Sequence, residues 1–287
     1  MRSLLFVPAD SPRKLEKSLA SGADAVIVDL EDSIAPANKE AARVGARDFL
    51  TAAKALTKRP LLMLRVNALD SGLVERDLDV VMAAAPDAVM LPKSRRGADV
   101  QHLSVKLAVR EAERDLPDGS TTILPIATET AGAIFGLASY AGASSRLMGL
   151  TWGAEDLAAE LAAETNRLTD GSYADAFRLA RALTLFAARA AGVDPIDTVY
   201  PNFRDLAGLR AECEAARRDG FVAKMAIHPG QIAVINDVFT PSAEAVARAK
   251  TIVAAFAADP AAGVLNLDGA MIDRPHLKQA ERLLARI

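Results

Sequence analysis

Eight short apolar runs, each separated from the next by helical or loop sequence, predict an α/β chain of the (β/α)8 type, a TIM barrel, with a C-terminal helical extension. Two further observations favour a closed barrel over an open doubly wound sheet. No Gly-x-Gly-x-x-Gly follows the first run, and no P-loop occurs anywhere. Charged side chains gather just past the ends of the runs, where α/β folds of either kind build their sites.

The first strand is Ser3 to Val7. Ser11-Pro12 then reads as an N-cap followed by proline at the first helical position, opening a helix through Leu15 and Leu19 that Gly22 closes. The second strand, Ala25 to Asp29, runs into the acidic cluster Asp29-Leu30-Glu31-Asp32, with Lys39 and Arg43 in the helix beyond. Leu61 to Val66 is the third and ends with Arg65 and Asn67. Ala88 to Leu91 is the fourth, ending at Pro92-Lys93, and a helix from about Asp99 to Asp115 follows. Thr122 to Ile126 delivers Glu129, and Leu147 to Thr151 delivers Trp152-Gly153-Ala154-Glu155-Asp156. An insertion with its own loop, Glu164 to Asp170, precedes an Ala-rich helix near Ala174 to Ala191. Ile196 to Tyr200 and Lys224 to Ile227 complete the set, the last ending at His228-Pro229.

The chain then runs on further than one closing helix requires. The reading is a barrel domain over 1–257 and an extension over 258–287 that packs on its own barrel or on a neighbouring subunit.

At 287 residues and 51% hydrophobic content the chain can bury a full core. A net charge of -3 gives no electrostatic footprint for nucleic acid or an anionic membrane. No apolar run approaches the roughly 18–20 residues that span a bilayer. Pro8 and Asp10 end the first apolar stretch too early for a signal peptide. The lone Cys213 rules out an intrachain disulfide and a cysteine-based zinc site. A cytoplasmic protein is expected.

The polar residues at the predicted strand ends are Asp29, Glu31, Asp32, Arg65, Asn67, Lys93, Glu129, Glu155, Asp156 and His228. Charges are costly to desolvate unless paired or metal-bound. Glu129 and Asp156, hard oxygen donors from two strand ends, suit a Mg²⁺ that keeps several waters or chelates a substrate. Their plain alternative is capping of the helices that follow. Several carboxylates beside one arginine suggest a divalent metal plus a substrate carboxylate or developing oxyanion. That mixture points to metal-assisted carbon–carbon chemistry on an oxygen-rich acid. Arg65 has the alternative of an ion pair with Asp29, Asp273 that of a helix start, and His228 that of a structural hydrogen bond. Trp152 and Phe6 read first as core or pocket wall, His102 and His276 as solvated, and Arg13, Lys14 and Lys17 as a solvated face.

The chain also resembles a known family, and the likeness runs nearly end to end. It is carried by Ser3-Leu4-Leu5-Phe6-Val7-Pro8 and by Asp29-Leu30-Glu31-Asp32-Ser33-Ile34-Ala35-Pro36 with Lys39 and Ala42-Arg43. Arg65-Val66-Asn67, Leu91-Pro92-Lys93, Glu129-Thr130-Ala131-Gly132 and Gly153-Ala154-Glu155-Asp156 continue it. Lys224-Met225-Ala226-Ile227-His228-Pro229-Gly230-Gln231 and Asp268-Gly269-Ala270-Met271-Ile272-Asp273 complete it. These motifs resemble the citrate lyase beta subunit-like family of the HpcH/HpaI aldolase/citrate lyase superfamily. That family contains citryl-, malyl- and citramalyl-CoA lyases among the metal-dependent barrel aldolases.

The resemblance implies a Mg²⁺-dependent carbon–carbon lyase that cleaves a 3-hydroxyacyl-CoA by a retro-Claisen step to acetyl-CoA and a 2-oxo acid. It implies Glu129 and Asp156 as metal ligands and Arg65 as the group that holds thioester or acid oxygens. Glu129, Glu155, Asn67 and Arg65 would line the substrate. Asp273 would reach the site of an adjacent subunit and move the proton on the acetyl carbon. Phe6, Arg13 and Lys17 would lie where coenzyme A binds. Asp29, Glu31, Asp32, Lys93 and His228 would orient the ligands from behind. A homo-oligomer, trimer or hexamer, and a CoA or acyl-carrier thioester as partner go with it. Open alternatives are a CoA-independent pyruvate aldolase, a non-catalytic subunit of a larger complex, and thioester hydrolysis. The acyl group itself is not legible, since a methylene in a pocket is worth only about 1–3 kcal/mol.

Overall fold

A computed structural model describes residues 1–287. Eight parallel strands follow in chain order: β1 (Ser3–Pro8), β2 (Ala25–Asp29), β3 (Leu61–Arg65), β4 (Ala88–Leu91), β5 (Thr122–Pro125), β6 (Gly149–Leu150), β7 (Asp194–Asp197) and β8 (Ala223–Ala226). They pair in the order β5-β4-β3-β2-β1-β8-β7-β6. Parallel bridges Ile123↔Leu147 and Ile126↔Thr151 close the ring between β5 and β6. The (β/α)8 expectation therefore holds.

β2 reads Ala-Val-Ile-Val-Asp and is buried throughout, as a strand covered on both faces must be. Leu4, Ile27, Met63, Met90, Leu124, Ile196 and Met225, one from each of seven strands, enter a single apolar cluster. Side chains alternate along a strand, so Phe6, Asp29 and Arg65, two positions further on, face the same side at the C-terminal rim. Asp29 and Arg65 are register partners at the ends of β2 and β3.

The helices of this part are α1 (Pro12–Ser18), α2 (Lys39–Lys54), α3 (Val74–Val81), α4 (Gly97–Ala112), α5 (Ala131–Gly136), α6 (Ala154–Glu160), α7 (Asp175–Ala190), α8 (Leu206–Asp219) and α9 (Ile232–Phe239). None of the helices is long and apolar enough to cross a membrane. Cys213, on α8, is fully buried.

Two strands differ from expectation. β7 begins at Asp194, and Thr198 to Tyr200 leave the ladder before Pro201. β6 shrinks to two residues that pair with β7, while single bridges join its flanks to β5. A Cβ at Gly149 would lie 2.8 Å from the Asp194 carbonyl oxygen, so this close approach of backbones needs glycine.

The chain divides into two compact units, Met1–Asp237 and Val238–Ile287. The second unit starts some twenty residues before the expected boundary at 257/258, because α10 (Ala243–Ala258) belongs to it and shares a core with α11 (Arg274–Leu284). Between these helices lies an antiparallel hairpin, β9 (Val264–Leu267) and β10 (Ala270–Asp273), where the sequence reading has helical extension. Leu265, Leu267 and Ile272 pack toward Ala249, Phe256 and Ala280.

Candidate active site

The mouth of the barrel is built from the last residues of β2 and β3 and the first turns after β4, β5 and β6. Arg65 donates from Nε and Nη2 to the two carboxylate oxygens of Asp29, both at 2.7 Å, and its Nη1 lies 2.9 Å from Glu31 Oε2. Its guanidinium also sits 4.9 Å from the centre of the Phe6 ring. Burial works against the charge on Arg65, but Asp29 and Glu31 hold its pKa above the ordinary value. The ion-pair alternative for Arg65 is thus realised. A guanidinium has five N–H donors, so a fork fixed by two acids keeps donors for a ligand.

Lys93 stands just after β4 with φ 53°, in the left-handed region that costs a side chain energy. This backbone aims its N–H at Glu129 Oε2 while its ammonium reaches Glu31, Asp32 Oδ2 at 3.0 Å and Asp156 Oδ1 at 3.6 Å. One residue therefore touches four acids.

Glu129 is 3% exposed. Burial, then the neighbouring charge of Asp156, pushes its carboxyl up to about 8, against the pull of Lys93 and Arg65. A Cβ on Gly153 would fall 2.7 Å from Glu129 Cγ, so the absent side chain makes the space in which Glu129 lies. Gly153 N–H donates to Thr128 Oγ1 at 3.2 Å, tying the two turns together. Thr130 Oγ1, next to Glu129, is buried without a hydrogen-bond partner.

The capping alternative is met only in part: Asp156 stands in the first turn of α6, where an acid favours the helix dipole, while the first turn of α5 holds no acid. α5 is capped at Thr130 and α6 at Gly153, and neither has a side-chain cap bond. Instead Glu129 and Asp156 face each other electrostatically, among five carboxylates (Asp29, Glu31, Asp32, Glu129, Asp156) that share two cations, Arg65 and Lys93. No three His, Cys, Asp or Glu side chains converge into a metal cage.

Several predicted site residues take other positions. Asn67 is buried and turns into the protein: Oδ1 accepts from Lys39 Nζ and Nδ2 donates to Asp77 Oδ2, both at 2.7 Å. Both polar atoms of its side chain are thus engaged by the protein's own groups, and it braces the rim. Glu155 is exposed, and its Oε1 accepts from Asn166 Nδ2 at 2.9 Å, away from Glu129. Successive helical residues point about 100° apart, so Glu155 and Asp156 cannot both face the same neighbour. His228 lies exposed at the end of β8, its Nδ1 accepting from Gly230 N–H at 3.0 Å and its ring stacked on Phe203. Arg13 and Lys17 are exposed on α1. In the second unit, Asp273 caps α11 and its Oδ1 lies 2.5 Å from His276 Nδ1, the helix start that Asp-Arg-Pro suggests.

Three residues that the sequence reading names without giving them a role contribute here. Lys39 donates to the carbonyls of Leu30 and Glu31 as well as to Asn67, each at 2.7 Å, and so clamps the loop after β2. Arg43, fully buried, grips Asp77 from α2. Gly153 carries its role by having no side chain. A lysine and an arginine four residues apart, facing an acid-rich strand end, were the available signal.

Residues 173–287 match the carbon–carbon bond lyases of the TIM-barrel fold. This chain is a barrel carbon–carbon lyase. Residues 2–229 match the HpcH/HpaI aldolase/citrate lyase family, and the chain belongs to it. The citrate lyase subunit beta of Leuconostoc mesenteroides subsp. cremoris is 31% identical over 285 residues, covering 99% of this chain and 92% of that protein. A (3S)-malyl-CoA thioesterase of Cereibacter sphaeroides is 37% identical over 289 residues, covering 99% and 94%. Among solved structures, CitE of Mycobacterium tuberculosis in complex with magnesium, acetoacetate and coenzyme A superposes with a TM-score of 0.76 at 36% identity, covering 99% of this chain and 97% of that one.

Proposed function

We propose that this chain is a Mg²⁺-dependent lyase that cleaves a 3-hydroxyacyl-CoA of the citryl, malyl or citramalyl type into acetyl-CoA and a 2-oxo acid. The observation that carries the reading is the Glu129–Asp156 pair: two hard oxygen donors in a pocket whose acids outnumber its cations. The donor set fits Mg²⁺, which uses one or two protein carboxylates and keeps the rest of its shell for water and substrate. When bound there, Mg²⁺ supplies Lewis-acid polarisation and a template for the substrate hydroxyl and carboxylate. The relative from Mycobacterium tuberculosis in complex with magnesium and coenzyme A supports the use of both by this chain.

Arg65 holds the thioester oxygen and stabilises the enolate charge. Its fork is fixed by Asp29 and Glu31, so little reorganisation is needed as charge develops. Lys93 fixes Glu129 through its backbone and balances Asp156 through its ammonium. Phe6, Arg13 and Lys17 contact coenzyme A. Asp273 protonates the acetyl carbon in the site of an adjacent subunit, within a homo-oligomer.

The test is a panel of citryl-, malyl- and citramalyl-CoA with Mg²⁺, following release of 2-oxo acid, for the parent chain and Glu129→Ala. Glu129→Ala should abolish Mg²⁺-dependent cleavage while the chain stays folded; retained turnover would remove Glu129 from the site. The thioesterase relative favours one second reading, hydrolysis. In that case free thiol appears without any 2-oxo acid.

A further inference from the structure

A circuit of hydrogen bonds leaves the Trp152–Asp156 turn at one end and returns to it at the other. It leaves at Glu155, which accepts from Asn166 Nδ2 at 2.9 Å. The next residue, Arg167, donates to the Gly171 carbonyl at 2.9 Å and to Tyr173 Oη at 2.7 Å, and pairs with Glu212 Oε2 at 2.8 Å. Its guanidinium lies 4.0 Å from the centre of the Tyr173 ring and 5.4 Å from that of Tyr200. Glu212 Oε1 accepts from Lys224 Nζ at 2.7 Å, and Lys224 reaches Asp197 Oδ2 at 3.2 Å. Asp197 Oδ1 in turn accepts from Trp152 Nε1 at 2.7 Å, and Trp152 directly precedes Gly153.

None of these side chains hydrogen-bonds or pairs with Glu129 or Asp156, whose partner is Lys93, yet the circuit grips both ends of the turn that carries Asp156 and the glycine on which Glu129 packs. Lys224 and Asp197 are both fully buried. Burial opposes the charge on each, but each keeps the other ionised, and Arg181 and Glu212 add to it. A buried pair of this kind gains little stability over apolar residues of the same volume. Its evident product is position.

We infer that Arg167 is a positioning residue for Asp156, holding the loop from Glu164 to Tyr173 so that Asn166 draws Glu155 aside and the turn presents Asp156 toward Glu129. This rests on the metal reading of Glu129 and Asp156 given above. Arg167 suits the task because its planar fork serves a carbonyl, a hydroxyl and a carboxylate while its faces lie against two rings. A lysine would keep the charge and lose the fork.

The experiment measures Mn²⁺ and Mg²⁺ affinity of the intact chain without substrate, by electron paramagnetic resonance and calorimetry. The variants are Arg167→Met, Arg167→Lys, Asn166→Ala and Asp156→Asn, each checked by circular dichroism. Outer partners of metal ligands typically control affinity by roughly 10–100-fold. Arg167→Met should therefore weaken binding by about tenfold or more, Arg167→Lys should restore only part of it, and Asn166→Ala should weaken it several-fold. Asn166→Ala cuts the latch without opening the buried network, so it carries the test if Arg167→Met fails to fold. Parent-like affinity in folded Arg167→Met and Asn166→Ala, with binding lost in Asp156→Asn, overturns the inference alone. Parent-like affinity in Asp156→Asn overturns the metal reading and the inference with it.

Discussion

Replacing Glu129 by glutamine should make the metal-free chain more stable at pH 8 and change little at pH 4.5. The carboxyl is 3% exposed and sits beside Asp156; burial first, and that charge second, move it from 4.5 to about 8. Below pH 4.5 folded and unfolded chains both carry the proton. Between 4.5 and 8 the unfolded chain has released it and the folded chain has not, so stability falls as pH rises, by about 1.4 kcal/mol per unit. Over the window this amounts to roughly 3–5 kcal/mol, fully present as stability below pH 4.5 and lost above 8. Glutamine has nearly the same volume and can still accept the Lys93 N–H, so it removes the ionisation and keeps the packing. The assay is urea unfolding in a chelator from pH 5 to 9, read as the difference between variant and parent. The gap should widen in favour of glutamine up to pH 8 and then stay flat. Adding Mg²⁺ should rescue the parent and not the variant. A gap that stays constant across pH would refute the account of a buried, uncompensated carboxyl.

Gly153→Ala should put a methyl group into Glu129 Cγ, 2.7 Å away, costing on the order of 1–3 kcal/mol and weakening Mg²⁺ binding, to be read by melting with and without the metal; an unchanged melting response to Mg²⁺ would show that Glu129 does not depend on that space. Asp273→Ala removes the cap of α11 and its contact with His276, about 1 kcal/mol of local stability, so amide exchange in the first turn of α11 should quicken; unchanged protection there would show the cap contributes nothing.

The barrel was legible because its strands are short apolar runs bounded by turn residues, and β2 and β4 begin and end where the pattern says. Pro195 disguised the start of β7, since proline reads as a breaker although the first residues of a strand tolerate it. The β9–β10 hairpin was written into its turn: Asp268 and Gly269 both take positive φ, 52° and 80°, the demand of a tight hairpin turn that Asp-Gly satisfies. At the site, acids past strand ends follow from one-dimensional spacing, which is why Glu129, Asp156 and Arg65 could be named. Which way a side chain turns does not follow from spacing. Asn67 prefers Asp77, ten residues on, to the open mouth. Nothing local marks Lys93 as left-handed, because that backbone exists to satisfy Glu129, 36 residues away. The Arg167 circuit is hidden for the same reason, being assembled from residues far apart in the chain.

The single cysteine has a practical corollary. Cys213 is sealed within α8, and burial pushes its thiol up to about 12, leaving almost no thiolate for a maleimide or a methanethiosulfonate to attack at neutral pH. A cysteine introduced at exposed Val105 or Met271 would then be the one reactive handle on each chain. Fluorophores or nitroxides can be installed at chosen points on the native background, and whether copies of the chain associate can then be read from the spectra.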